Sequence, residues 1–93
     1  VTKPIRLVDA ARDEFLAEVA RYGTGFTRVV RAAFKLIARF PEAWGAYPKC
    51  PGVRRYVIKR YPFVIVYREL PAEIRVLAVA ATKRRPGYWR GRQ

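Results

Sequence analysis

Residues 62–67 read Pro-Phe-Val-Ile-Val-Tyr, apolar without alternation. A short run of this kind is the mark of a central strand buried on both faces, and it constrains everything around it. On its N-terminal side, Val53 to Arg60 mixes β-branched, aromatic and basic residues, as a half-exposed strand does. On its C-terminal side, Glu69-Leu70-Pro71-Ala72-Glu73 forms a hairpin turn. Ile74 to Ala81 is then a last strand, apolar apart from Arg75. Links this short make the three strands an antiparallel meander.

Upstream of the meander the apolar period is helical. Ile5 to Val8 is a short first strand, and Asp9 is the expected N-cap of a helix through Tyr22, with Phe15, Leu16, Val19 and Ala20 at helical spacing. Gly23 ends that helix and Thr24 caps a second one. There Phe26, Val29, Val30, Ala33, Ile37 and Phe40 recur at three- and four-residue steps until Pro41. The Gly23-Thr24-Gly25 joint permits only an antiparallel helical hairpin. The expectation is an α+β fold of order β-α-α-β-β-β, with the hairpin packed on one face of a small, mainly antiparallel sheet. Residues 1–93 are expected to form a single domain.

Composition narrows the chemistry. The 93 residues include 13 aromatics and are 52% hydrophobic, which argues against disorder despite a net charge of +13. No apolar run approaches the ~18–20 residues of a membrane span. No basic-then-apolar leader opens the chain, so no secretion signal is expected. One cysteine, Cys50, suits a reducing compartment, and a cytoplasmic location is expected. The chain has no His, which excludes Ser-His-Asp and Cys-His nucleophilic arrangements and leaves far too few ligands for a structural zinc site. Neither a metal nor a cofactor is expected.

The charge is unevenly spread. Residues 1–47 carry eight basic and five acidic side chains, whereas residues 48–93 carry twelve and two. That gradient points to an acidic partner for the C-terminal half, either nucleic acid or an acidic protein segment. The run Thr82-Lys83-Arg84-Arg85-Pro86-Gly87-Tyr88-Trp89-Arg90-Gly91-Arg92 holds five basic residues, no acid and two aromatics. Guanidinium groups pair with phosphates, and aromatic rings stack on unpaired bases.

Trp89 is expected to fold back over the core, because a buried indole contributes large apolar area. Arg54, Arg55 and Arg60 form a second basic set, on the strand expected to neighbour the tail. Alternation sends Arg54 and Arg60 to one face and Arg55 to the other. Arg28, Arg31, Lys35 and Arg39 read as the wet side of the second helix. Cys50 has no His partner and is expected to be incidental. Glu14 and Glu18, one helical turn apart, are expected to be solvated.

These segments carry a family resemblance. Ala11-Arg12-Asp13-Glu14-Phe15-Leu16 resembles the A-x-x-E-(apolar)-(apolar) opening of the first helix in RelE/ParE-type toxins. Val53-Arg54-Arg55 with Tyr61-Pro62-Phe63-Val64-Ile65-Val66-Tyr67 is similar to their R…FPY-x-(I/V)-x-Y strand pair. Val76-Leu77-Ala78-Val79-Ala80, then Lys83-Arg84-Arg85-Pro86-Gly87-Tyr88-Trp89, is similar to their AVAH-x-(K/R)-R-x-P-x-YW ending. The match spans nearly the whole chain in order.

The resemblance implies the toxin of a bacterial type II toxin–antitoxin pair, with a cognate antitoxin that is acidic where it makes contact. RelE-like members bind the ribosomal A site and cut mRNA without metal; ParE-like members bind DNA gyrase and block it. Carried over by motif, the RelE case makes Arg54 and Arg84 or Arg85 phosphate-stabilising groups. Lys83 assists, and Tyr88 stacks on a base or joins proton transfer. One position departs: where the motif has His after A-V-A, this chain has Ala81. Ribosome-dependent mRNA cleavage is the leading expectation. The alternatives are non-enzymatic gyrase inhibition and a catalytically attenuated toxin, the latter because Ala81 replaces the imidazole.

Overall fold

The computed structural model describes residues 2–93. Its elements are β1 (Ile5–Leu7), α1 (Asp9–Tyr22), α2 (Thr24–Arg39), β2 (Val53–Ile58), β3 (Phe63–Glu69) and β4 (Ile74–Ala81), then a 3-10 turn at Arg90–Arg92. This is the expected α+β order. One sheet runs β1-β4-β3-β2. β2 pairs antiparallel with β3 from Val53↔Arg68 to Ile58↔Phe63, and β3 with β4 from Phe63↔Ala81 to Glu69↔Ile74. β1 is the parallel exception, pairing Ile5↔Ile74 to Leu7↔Val76.

The helix caps differ from expectation. Asp9 is the first helical residue, and Val8 holds the cap position with no side-chain bond. The Asp9 carboxylate therefore sits in the first turn, where it favours the helix dipole. Gly23, not Thr24, caps α2. It has φ +79, a left-handed conformation that a residue without Cβ adopts readily, and its N–H closes α1 on the Val19 carbonyl at 2.7 Å. β2 stops at Ile58, two residues early, because Lys59 and Arg60 turn the chain towards Pro62.

α2 lays Phe26, Val30, Ala33 and Ile37 against one face of the sheet, where they meet Ile58, Phe63, Ile65, Tyr67, Ile74, Val76 and Val79. Ala11 of α1 joins them, with Phe15 and Val19 packed at the margin. Leu16 and Phe40, expected in the apolar stripes, are instead about half exposed. Within this core the Tyr67 hydroxyl donates to the Pro41 carbonyl at 2.7 Å. Burial pushes that phenol up to about 12, with Arg54 opposing the shift.

The opposite face of the sheet has its own core, built from Val53, Val66, Leu77, Ala78, Ala80 and Trp89. A bulge makes this possible. Tyr67 pairs with Val76 but Val66 with Ala78, so Leu77 is an extra residue in β4 and turns to the same side as Ala78. β3 is thus covered on both faces, as its unbroken apolar run required.

Candidate functional site

β4 ends at Ala81, which packs against the margin of the helix-side core. There the Arg84 N–H donates to the Ala81 carbonyl at 2.9 Å and reverses the direction. Gly87 makes the second reversal with φ +80; a Cβ there would lie 2.9 Å from Arg90 Cζ. Between these turns and the end of the chain, residues 82–93 form a strap across the sheet. Trp89 anchors it and is 1% exposed. The small side chains of Ala78 and Ala80 leave room for the indole, and Tyr47 meets it edge-on at 4.8 Å. Trp89 thus takes the core-covering role expected of it. Cys50 is buried in the same cluster.

The strap walls a pocket of about 250 Å³, floored by Val64, Val66 and Ala80. Arg55, Arg84 and Arg85 converge on it, with Tyr47, Tyr88 and Ala81 at its border and no acidic residue in the lining. Of the residues singled out from the sequence, the structure brings together Arg84, Arg85 and Tyr88. Lys83 is exposed beside the pocket and does not line it.

Arg54 lies elsewhere: its guanidinium donates to the Trp44 carbonyl at 2.7 Å, on the helix side of the sheet. β3 separates β2 from β4, as a meander requires, and part of the β2 set still meets the tail: Arg55 shares the pocket with Arg84 and Arg85. Alternation along β2 then turns Arg55, not Arg54, to the face the strap covers. Arg60 lies past the strand end.

Glu14 holds the strap to α1, and it is not solvated as expected. β1 accompanies β4 only to Val76, which leaves the β4 edge from Leu77 onward without a strand partner. Side chains take over there. Val79 N–H donates to Glu14 Oε1 at 3.1 Å, and Arg92 Nη1 donates to the Leu77 carbonyl at 3.1 Å. Glu14 and Arg92 also pair with each other at 2.9 Å. The second oxygen, Glu14 Oε2, accepts from the Tyr88 hydroxyl at 2.6 Å. Burial and that carboxylate together push the Tyr88 phenol up to about 12. Arg84 stacks over the Tyr88 ring at 3.9 Å, so the same contact aims a guanidinium at the pocket.

Tyr47 and Glu14 were not part of the site read from sequence, whereas Arg55 and Arg92 stood in the two basic sets with no role assigned to either. Of Glu14 and Tyr47, Glu14 carried a local signal: it stands three residues after the buried Ala11, at the edge of the inward stripe of α1. Among the described residues no three His, Cys, Asp or Glu side chains gather as a metal site, and no helix is long and apolar enough to cross a membrane.

The arrangement suits an anion. Three guanidiniums around an apolar floor can grip a phosphate or a carboxylate bidentately. Comparison with known proteins adds the lineage. A solved chain from the chromosomal ParDE TA system of P. aeruginosa superposes with a TM-score of 0.60 at 19% identity. The match covers 86% of this chain and 96% of that one, and it shows a shared fold. No curated protein matches the chain. A family model described as the ParE toxin of the type II toxin–antitoxin system, parDE, matches residues 5–86. The chain belongs to the ParE family of toxins of type II toxin–antitoxin systems.

Proposed function

We propose that this toxin inhibits growth by binding DNA gyrase and blocking it, as ParE-like toxins do, rather than by cutting mRNA. One observation carries this reading. The lining of the arginine pocket holds no His, Asp, Glu, Lys or Cys, and the hydroxyl of one of its two tyrosines is committed to Glu14. Tyr88 donates its hydroxyl to Glu14 and is pushed up to about 12, by burial first and by the carboxylate second. Ala81 stands where the family motif has an imidazole. General acid–base catalysis is most efficient with a group that titrates near the working pH, and arginine does not. The pocket therefore suits binding. The family match to ParE supports the same choice.

The convergence of Arg55, Arg84 and Arg85 is what favours the alternative, a ribosome-dependent nuclease, because such a trio suits a transition-state phosphate. Plasmid supercoiling and mRNA integrity, measured together after induction, separate the two. The expected result is relaxed plasmid with intact transcripts. Ribosome-dependent cuts with normal supercoiling would overturn the gyrase reading. In either case the toxin acts in the cytoplasm and is neutralised by a cognate antitoxin that presents acidic residues to the basic surface.

A further inference from the structure

β2 is the last strand of the sheet, and only half of its outer edge is covered. The Tyr47 N–H donates to the Val53 carbonyl at 2.7 Å, and the Arg55 N–H to the Gly45 carbonyl at 3.0 Å. The segment around Ala46 therefore pairs the first half of the strand. Backbone groups face alternate edges along a strand, so the Arg55 carbonyl and both polar groups of Val57 face outward too. Among the described residues no strand lies beside them. An edge of this kind is a template for another chain.

The surroundings say what that chain should be. The open edge borders a groove of about 650 Å³, walled by Trp44 and by Val29 of α2. The Trp44 and Tyr56 rings meet there at 4.9 Å and make an apolar wall. Arg55, Lys59 and Arg60 line the groove, and no acidic residue does. On the strap side of the strand, Val57 is 53% exposed. Edge strands are commonly blunted by charged side chains, but Lys59 and Arg60 lie past the end of β2 and flank Val57 without covering it.

We propose that this half-open edge takes an extended acidic segment of the cognate antitoxin as a fifth strand. Period-two alternation sets the composition of that segment. Side chains turned to the helix side meet Trp44, Tyr56 and Val29 and are apolar; those turned the other way meet Arg55 and Val57 and include the acids. The inference rests on the antitoxin partnership and is independent of the gyrase reading.

Val57→Pro tests it directly. The Val57 N–H faces outward, so proline removes no bond to β3, and edge positions tolerate proline. Binding of the antitoxin encoded beside the toxin is measured by titration calorimetry, with circular dichroism to check the fold. Val57→Pro is expected to weaken binding about tenfold or more. Lys59→Glu is expected to weaken it several-fold at low salt, with the gap closing as salt rises.

Hydrogen exchange on the unmodified toxin needs no variant. Saturation with antitoxin should slow exchange of the Val57 amide at least about tenfold. Wild-type affinity in Val57→Pro, or unchanged exchange at Val57 in the saturated complex, overturns the proposal. So does protection of Val57 by a single-stranded oligonucleotide but not by antitoxin. An antitoxin that does not bind the wild-type chain at all overturns both the pairing and the partnership beneath it.

Discussion

Glu14→Ala and Tyr88→Phe, made singly and together, measure how firmly the strap is held to α1. The Tyr88 hydroxyl lies 2.6 Å from Glu14 Oε2, within the range of a charge-assisted bond. Glu14 also accepts from Val79 N–H at 3.1 Å and pairs with Arg92 at 2.9 Å. The Arg92 and Glu14 side chains are 22% and 16% exposed, so solvent screens them only in part. Hydrogen bonds to a charged group contribute about 1.5–3 kcal/mol each, and an amide left without an acceptor costs about 1–3 kcal/mol. Glu14→Ala is therefore expected to destabilise by roughly 3–5 kcal/mol. Tyr88→Phe removes one hydroxyl and should cost about 1–2 kcal/mol.

Because the two share one bond, the double variant should be less damaged than the sum by about 1–2 kcal/mol. Urea unfolding followed by circular dichroism provides the four free energies. Thermal melts offer a second reading, since each kcal/mol moves the midpoint of a domain this size by roughly 4–8 °C. Additivity within about 0.5 kcal/mol would mean that the hydroxyl and the carboxylate do not interact, and would refute the account of the strap.

Trp89→Ala empties the core of the second sheet face and should cost about 3–5 kcal/mol in urea unfolding, far more than any single arginine of the pocket. Stability should also fall at alkaline pH. An unfolded tyrosine loses its proton near pH 10, whereas Tyr67 and Tyr88 keep theirs to about 12, so the folded state binds more protons across that interval. The contribution is complete below about pH 10 and is lost as pH rises through about 12; Tyr88→Phe should flatten part of the fall. Ala81→His adds one imidazole to the border of the pocket. Toxicity with intact transcripts is expected from that variant, and a gain of ribosome-dependent cleavage would show that Ala81 attenuates a nuclease.

Periodicity made the elements legible residue by residue. The unbroken apolar run at 62–67 identified a doubly covered strand, and β4 emerged with the bounds Ile74 to Ala81 that the structure shows. Trp89 was legible as core because a bulky indole among arginines has little else to do. The caps at Asp9 and Thr24 were each placed one residue late, because Val8 and Gly23 take the cap with backbone conformation alone. The candidate site was legible only in part. Arg84, Arg85 and Tyr88 lie in one continuous segment, so their proximity is local.

Arg54 and Arg55 could not be sorted by sequence, since alternation separates them without saying which face receives the strap. Glu14 looked like any exposed helical carboxylate, because its partners lie at Val79, Tyr88 and Arg92, at the other end of the chain. The sequence by itself determined the element order, the two-faced burial of β3, the basic C-terminal half and the family. These follow from local period and composition, which act on neighbouring residues. The tertiary structure alone decided that Arg55 joins Arg84 and Arg85, that Glu14 commits the Tyr88 hydroxyl, and that half of β2 stays unpaired. Each depends on which distant segments the sheet brings edge to edge, and only chain-wide packing determines that.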